Sequence, residues 1–188
     1  MHVLIDDFAP LGLVLAAKAT WLPESSGLWH KYENGKLATK GRQSLPFASS
    51  ILLDSLAAFP VGSLLGASQA FPDCDFLHGA GLHHMPIGVS LGLHLDSERH
   101  PNLPWRREVS AVLYLDDCDG GELELCTERG DVTDRIECKQ NRLVLFTTPN
   151  QWHRVAECRS VRRSICLFFW STELDGTERS DRATFRHS

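Results

Sequence analysis

Glu108-Val109-Ser110-Ala111-Val112-Leu113-Tyr114-Leu115, then Asp117-Cys118-Asp119-Gly120-Gly121, then Glu122-Leu123-Glu124-Leu125-Cys126: these nineteen residues, with Asp116 at the first junction, decide the fold class. The first run is apolar and rich in β-branched and aromatic residues over the length of a strand. The second gathers Asp and Gly, which tolerate left-handed backbone and bond locally to it, so it reads as a turn cluster. The third, taken from Gly121 to Cys126, is strand-like again. The same texture spreads outward in both directions, with Gly88–Leu95, Arg142–Thr147 and Val161–Trp170 as further strand candidates. No helix-length periodic segment separates these strands, so the sheet is expected to be mainly antiparallel and folded as a sandwich or barrel.

Upstream the pattern differs. The first 70 residues read as mostly helical. Ala9–Thr20 is a short apolar helix candidate that stops before Pro23. Ala48–Phe59 carries Ile51, Leu52, Ser55, Leu56 and Phe59, an approximate helical stripe ended by Pro60 and Gly62. Between them, Trp29–Gly41 is polar, with Asn34-Gly35 a strong turn signal. Thr172–Ser188 is polar and is expected to fray. The expectation is one α+β domain, mainly β with N-terminal helices: helical support over about 1–70, a β-barrel or jelly-roll core over about 76–170, and a tail at 172–188.

With 188 residues and 21.0 kDa, the chain can bury a sizeable single core. Its 43% hydrophobic and 23% charged content excludes wholesale disorder. Nineteen basic against 24 acidic residues leave a net charge of −5, so there is no cationic surplus for phosphates and no nucleic-acid partner is expected. No run approaches the ~20 apolar residues that span a bilayer, and Asp6 and Asp7 precede Leu11–Ala17 where an export signal would be basic. No membrane partner is expected, and a cytoplasmic location is. The six cysteines form no CxxC pair; reduced thiols are expected, and zinc is not. Nothing in the sequence fixes an oligomeric state.

Nine histidines raise the question of a metal. Residues i and i+2 of a strand face one side, so His94 and Asp96 can both point into a barrel. His153 follows the strand ending near Thr147. Two imidazoles and a carboxylate form the facial triad that favours non-haem Fe(II) and leaves positions open for a co-substrate and dioxygen. Nine residues after His153 stands Arg162, at the start of an apolar strand and sharing a face with Ser164, while Arg163 faces the other way. An arginine in such a strand needs a buried anion or an exposed end. A carboxylate would satisfy it bidentately, with Ser164 and the phenol of Tyr114 as further donors. Iron with open positions beside that cradle points to a dicarboxylate-like co-substrate.

His94-x-Asp96, Val109 to Leu115, Gly120-Gly121-Glu122-Leu123, Asn141 to Phe146, Trp152-His153-Arg154-Val155 and Arg162-x-Ser164, in that order, resemble the iron(II)/2-oxoglutarate oxygenases, and within them the prolyl-4-hydroxylase-like branch. Ile5-Asp6-Asp7-Phe8 is a weaker echo of that branch's N-terminal segment. The resemblance implies a double-stranded β-helix with N-terminal support helices. It implies His94, Asp96 and His153 as iron ligands, and Arg162 as partner of the remote carboxylate of 2-oxoglutarate, with Ser164 and Tyr114 beside it. Arg163 remains the alternative, because relatives place the basic residue nine or ten positions after the histidine. His84 stands where many relatives have a tyrosine, and is a candidate for co-substrate or substrate binding. His78, His83 and His100 read as incidental or substrate-side residues.

The implied reaction is Fe(II)- and 2-oxoglutarate-dependent hydroxylation of an aliphatic C–H, with O2 consumed and succinate and CO2 released. A prolyl residue of a peptide or protein is the default acceptor; a free amino acid or natural product is the alternative. A cupin-type metalloenzyme without 2-oxoglutarate is the rival reading. Trp105, Arg106 and Arg107, in the loop Ser97–Arg107, are candidate substrate contacts, and Trp29, His30 and Tyr32 a candidate entrance cluster. Nucleic-acid demethylases of the superfamily carry a second arginine where this chain has Phe168, a further argument against base repair.

Overall fold

The computed structural model describes residues 1–39, 41–67, 69–75, 77–172 and 181–186. In chain order the elements are β1 (His2–Ile5), α1 (Leu11–Ala19), β2 (Trp29–Lys31), β3 (Leu37–Thr39), α2 (Phe47–Ala57), α3 (Val61–Leu65), β4 (Phe71–Pro72), β5 (Gly81–Met85) and β6 (Leu91–Leu95). They continue with β7 (Arg106–Tyr114), β8 (Leu123–Cys126), β9 (Val132–Ile136), β10 (Leu143–Thr147), β11 (Trp152–Val155), β12 (Arg162–Ser171) and β13 (Thr184–Phe185). A major sheet runs β1-β10-β7-β12-β5-β3-β2 with β4 against β12, and a minor sheet runs β13-β6-β11-β8-β9. Every pairing between these strands is antiparallel. The two sheets face each other without closing into one continuous barrel, in the double-stranded β-helix arrangement.

The turn cluster Asp117–Gly121 does not close a hairpin. It carries the chain from β7 in the major sheet to β8 in the minor one. Gly120 and Gly121 make this transfer with φ of 71° and 68°. A Cβ on Gly120 would lie 2.2 Å from the Glu157 carbonyl oxygen, so only glycine fits there.

Alternation along β7 and β12 builds two cores. Ala111, Leu113, Ile165 and Leu167 face α1 and α2, packing with Val14, Ala17, Leu52, Leu53 and Leu56. Val112, Tyr114 and Cys166 face the other sheet and meet Leu123, Leu125 and Ile136. Both faces of the central strands are therefore covered, which is why they read as continuous apolar runs. Each such Leu or Ile gains about 1.5–3 kcal/mol from transfer out of water. Pro46 directly precedes α2, which ends at Ala57, two residues short of the predicted Phe59; Gly62, expected to help end that helix, lies inside α3.

Three expectations need correction. The first 70 residues are not mostly helical: β1, β2 and β3 extend the major sheet, with Val3 registered on Leu145 and Ala38 on His83. The predicted strand Gly88–Leu95 begins only at Leu91, because residues 86–89 form a turn closed by Val89 N–H donating to the Pro86 carbonyl at 3.2 Å. The tail is not frayed at its described end, since Thr184 and Phe185 pair with Leu95 and His94. Residues 173–180 and 187–188 of that predicted tail lie outside the described residues. Among the described residues, no helix is long and apolar enough to cross a membrane.

Candidate metal centre and co-substrate pocket

Strands β6 and β11 are neighbours in the minor sheet, and their register sets His153 directly against His94. The imidazole centroids lie 4.2 Å apart. Asp96, just beyond β6, turns Oδ1 toward both rings, 3.6 Å from His94 Nε2 and 3.8 Å from His153 Nε2. One ligand atom from each of the three residues falls within 4.8 Å of the others.

The surroundings orient these atoms. His94 Nδ1 lies 2.8 Å from the Gly92 carbonyl and His153 Nδ1 3.0 Å from the Gln151 carbonyl. A carbonyl only accepts, so each Nδ1 carries the proton and each Nε2 lone pair faces the centre. Asp96 Oδ2 accepts from Ser110 Oγ at 3.1 Å and pairs with Arg107 Nη1 at 3.3 Å, leaving Oδ1 for a cation. Burial and the neighbouring His94 push the His153 pKa down to about 4, keeping it neutral. Burial alone would raise the Asp96 pKa, but His153 and Arg107 more than offset it and hold the carboxyl well below the usual range. Two imidazole Nε2 atoms and an ionised carboxylate form a donor set suited to a divalent ion such as Fe(II).

Arg162, at the start of β12, is buried with 4% exposure. Its Nη2 donates weakly to the Tyr114 hydroxyl at 3.4 Å, and its Nη1 lies 3.5 Å from Met85 Sδ. Nε has no partner, and no described carboxylate pairs with the guanidinium. A buried cation left this way is costly unless an anion arrives. Ser164 and Tyr114 are both fully buried and stand opposite each other in the β12–β7 register. Burial pushes the Tyr114 phenol pKa up, so it stays a neutral donor.

Arg163 faces the opposite side, where it holds Asp116 bidentately at 2.7 Å and 2.7 Å. Of the two arginine alternatives, Arg162 lines the cleft. His84 also lies on that outer side, registered on Arg163. It accepts from Trp21 Nε1 at 3.2 Å and meets Glu24 Oε1 at 3.0 Å. The expectation that His84 contacts co-substrate or substrate is therefore corrected: strand alternation turns it out of the cleft. Its neighbour His83 points in, 3.2 Å from Cys166 Sγ.

The cleft has a volume of about 1590 Å³, and His94, Asp96, His153 and Arg162 all line it. His30 and Tyr32 line it too, ring centroids 4.6 Å apart, whereas Trp29 is buried in the outer core. From the loop Ser97–Arg107, Arg107 reaches the cleft and stacks 3.7 Å over the Phe168 ring. Trp105 packs instead on Phe71 at 4.9 Å, and Arg106 pairs with Glu108 at 2.9 Å. Two contributions escaped the sequence reading. Arg107 acts through Asp96, and Phe185 of β13 stacks on His94 at 5.1 Å and 18°. A lone Phe in a polar run was the available signal for the second.

Residues 80–170 match the model of the 2OG-Fe(II) oxygenase superfamily. Among solved structures the chain is similar to a Pseudomonas putida prolyl-4-hydroxylase, with TM-score 0.63 and 23% identity over 90% of this chain and 92% of that one. It is also similar to a Trichoplax adhaerens prolyl hydroxylase, in complex with a hypoxia inducible factor oxygen degradation domain peptide fragment; TM-score is 0.66, identity 17%, and coverage 90% and 83%. A third is a 2OG-Fe(II) oxygenase family oxidoreductase from Burkholderia pseudomallei, with TM-score 0.60, 18% identity and coverage of 96% and 88%. No curated protein matches the sequence. The solved structures establish the fold, and the family model adds the chemistry: the β core of this chain, residues 80–170, belongs to the 2OG-Fe(II) oxygenase superfamily, as a 2-oxoglutarate-dependent dioxygenase domain whose cofactor set is Fe(II), 2-oxoglutarate and O2.

Proposed function

We propose that this protein hydroxylates an aliphatic C–H, with His94, Asp96 and His153 holding Fe(II) and Arg162 binding the remote carboxylate of 2-oxoglutarate. Tyr114 donates to the same carboxylate, and Ser164 stands beside it as a further donor. The observation that carries this reading is the buried Arg162 guanidinium, lining the same cleft as the His–Asp–His cluster with Nε unpartnered. A cupin-type metalloenzyme without 2-oxoglutarate would have no use for that charge.

When bound, Fe(II) would activate O2, the oxidant: 2-oxoglutarate would give up two electrons and CO2 and keep one oxygen atom as succinate, and the substrate C–H would give up two and take the other as hydroxyl. The chain itself binds, orients and excludes water. Nδ1–H bonds to Gly92 and Gln151 lock the imidazoles, and Arg107 with Ser110 lock Asp96. Arg162 fixes the remote end of the co-substrate, and Val112 and Phe146 give the cleft an apolar wall. No residue of the chain is required as a proton donor or acceptor. For the acceptor, the prolyl hydroxylases among the structural neighbours favour a prolyl ring or a comparable aliphatic carbon.

The test is anaerobic titration of the metal-free protein with Fe(II) and then 2-oxoglutarate, followed by visible absorbance. A weak metal-to-ligand charge-transfer band, abolished in His94→Ala and weakened in Arg162→Ala, is the expected result. Iron binding without a band would overturn the 2-oxoglutarate reading and favour the cupin-type one.

A further inference from the structure

The hairpin β2–β3 carries a cation that the proposed chemistry does not use. Its tip is built firmly. Tyr32 N–H donates to the Lys36 carbonyl and Gly35 N–H to the Tyr32 carbonyl, each at 2.9 Å, while Lys36 N–H donates to Asn34 Oδ1 at 3.2 Å. Asn34 Nδ2 then donates to the Ser90 carbonyl at 2.9 Å, tying the tip to the turn before β6. Gly35 takes a φ of 90° against Val89, where a Cβ would meet Cγ2 at 3.1 Å. The Asn34-Gly35 signal is thus a docked turn at the rim of the cleft.

This docking decides where Lys36 points. Leu37 is registered on His84, on the outer side, and Ala38 on His83, on the cleft side. Lys36 is two residues before Ala38 and shares its face. Its side chain lines the cleft, with Nζ 5.5 Å from the Tyr32 ring centroid. No described residue forms an ion pair or hydrogen bond with that ammonium. Burial pushes its pKa down, although Cys166 and Asp96 act the other way.

Lys31, Glu33, Asp181 and Arg182 also line the cleft but are exposed, and its two buried arginines are matched. Arg107 is taken by Asp96, and Arg162 by the co-substrate carboxylate in the reading above. Fe(II) and doubly charged 2-oxoglutarate cancel each other. With Asp96 offsetting Arg107, the loaded floor keeps the charges of Arg162 and Lys36; Arg162 meets the co-substrate carboxylate in that reading, and Lys36 contacts no anion among the described residues.

We propose that Lys36 is the seat for a carboxylate of the acceptor substrate, which makes this a hydroxylase of carboxylate-bearing molecules rather than of neutral peptide segments. The proposal rests on the 2-oxoglutarate reading, since it assigns Arg162 to the co-substrate. The carboxylate can come from a free amino acid or from an acidic side chain beside the target residue in a peptide. Either source places the anion on Lys36 and the remainder of the molecule along the cleft.

The test uses the full chain loaded with redox-inert Zn(II) and 2-oxoglutarate, its lysines reductively dimethylated with ¹³C, which keeps their charge. The Lys36 signal is assigned by its loss in Lys36→Arg. Two probe pairs are titrated: L-proline against L-prolinamide, and N-acetylated, C-amidated Pro-Glu against Pro-Gln. The carboxylate member of one pair is expected to shift the Lys36 signal and to bind about tenfold tighter than its neutral partner, as one charge-assisted hydrogen bond would give. Preference in the first pair identifies a free amino acid, and in the second an acidic peptide. By calorimetry that preference should vanish in Lys36→Gln and persist in Lys36→Arg. Absence of preference in both pairs, or its survival in Lys36→Gln, would overturn the proposal. So would loss of 2-oxoglutarate binding in Lys36→Gln, which would make Lys36 a co-substrate residue. The Fe(II) charge-transfer band of the unsubstituted chain, recorded first, separates these failures from failure of the 2-oxoglutarate reading itself.

Discussion

Asp96 has two carboxylate oxygens with different partners: Oδ1 faces the imidazoles, and Oδ2 is held by Ser110 and Arg107. Replacing Arg107 with Met keeps most of the side-chain volume over Phe168 but takes away the charged one of the two partners of Oδ2, leaving Ser110. Metal affinity, measured by competition with a chelator, is expected to fall about 10–100-fold, the usual cost of losing a partner of a ligand. Arg162→Ala is expected to raise the Kd for 2-oxoglutarate by about 100-fold, one buried charge pair's worth, while leaving metal binding in place. A fall in metal affinity equal to that of His94→Ala would contradict the separation of the two roles. At this scale the sequence was informative wherever i and i+2 alternation applied along a strand or its immediate continuation, as for His94 with Asp96 and Arg162 with Ser164. It chose His84 over His83 and placed the wrong one in the cleft, because the face of β5 depends on its register with β12, a pairing between residues some eighty positions apart.

Between β7 and β8, Gly121 presses the chain against the cleft floor. Its φ is 68°, and a Cβ there would lie 2.9 Å from Cys158 Sγ and 3.0 Å from Arg162 Cδ. Gly121→Ala is expected to destabilise the fold by about 1–3 kcal/mol, seen as a lower Tm. It should also weaken 2-oxoglutarate binding, because the methyl group displaces the Arg162 stem. Unchanged co-substrate affinity would mean that the stem accommodates it. The long apolar strands β7, β10 and β12 were legible because both of their faces are buried. Several short ones were not. β1, β2–β3 and β13 lie at or near sheet edges, where a few residues of mixed polarity pair only because a partner strand is already in place. β5 was hidden by its two histidines, polar residues buried for contacts that its sequence does not reveal.

Across the whole molecule, helices brace the outer face of the major sheet while the histidines of the candidate metal centre sit on adjacent strands of the minor one. A divalent ion binding the folded state at a hundred times its Kd adds about 2.7 kcal/mol. For a chain of this size that corresponds to a Tm roughly 5–10 °C higher, to be checked by calorimetry with and without Zn(II). His94→Ala should abolish the increase. The antiparallel β core and the order of the motifs were readable from sequence, whereas the division of strands between two sheets was not, because a turn cluster looks the same whether it closes a hairpin or crosses a cleft. The adjacency of β6 and β11 also has a kinetic side. An ion held by residues 94, 96 and 153 is a reversible cross-link across a long loop, fastening two strands otherwise held by their backbone ladder and by side-chain contacts such as Leu91 with Val155. Amide hydrogen exchange in β6 and β11 should therefore slow sharply when metal is added, whereas β7 and β12 should exchange only through global unfolding. The protein would then record its metal status as a difference in opening rate between its two sheets.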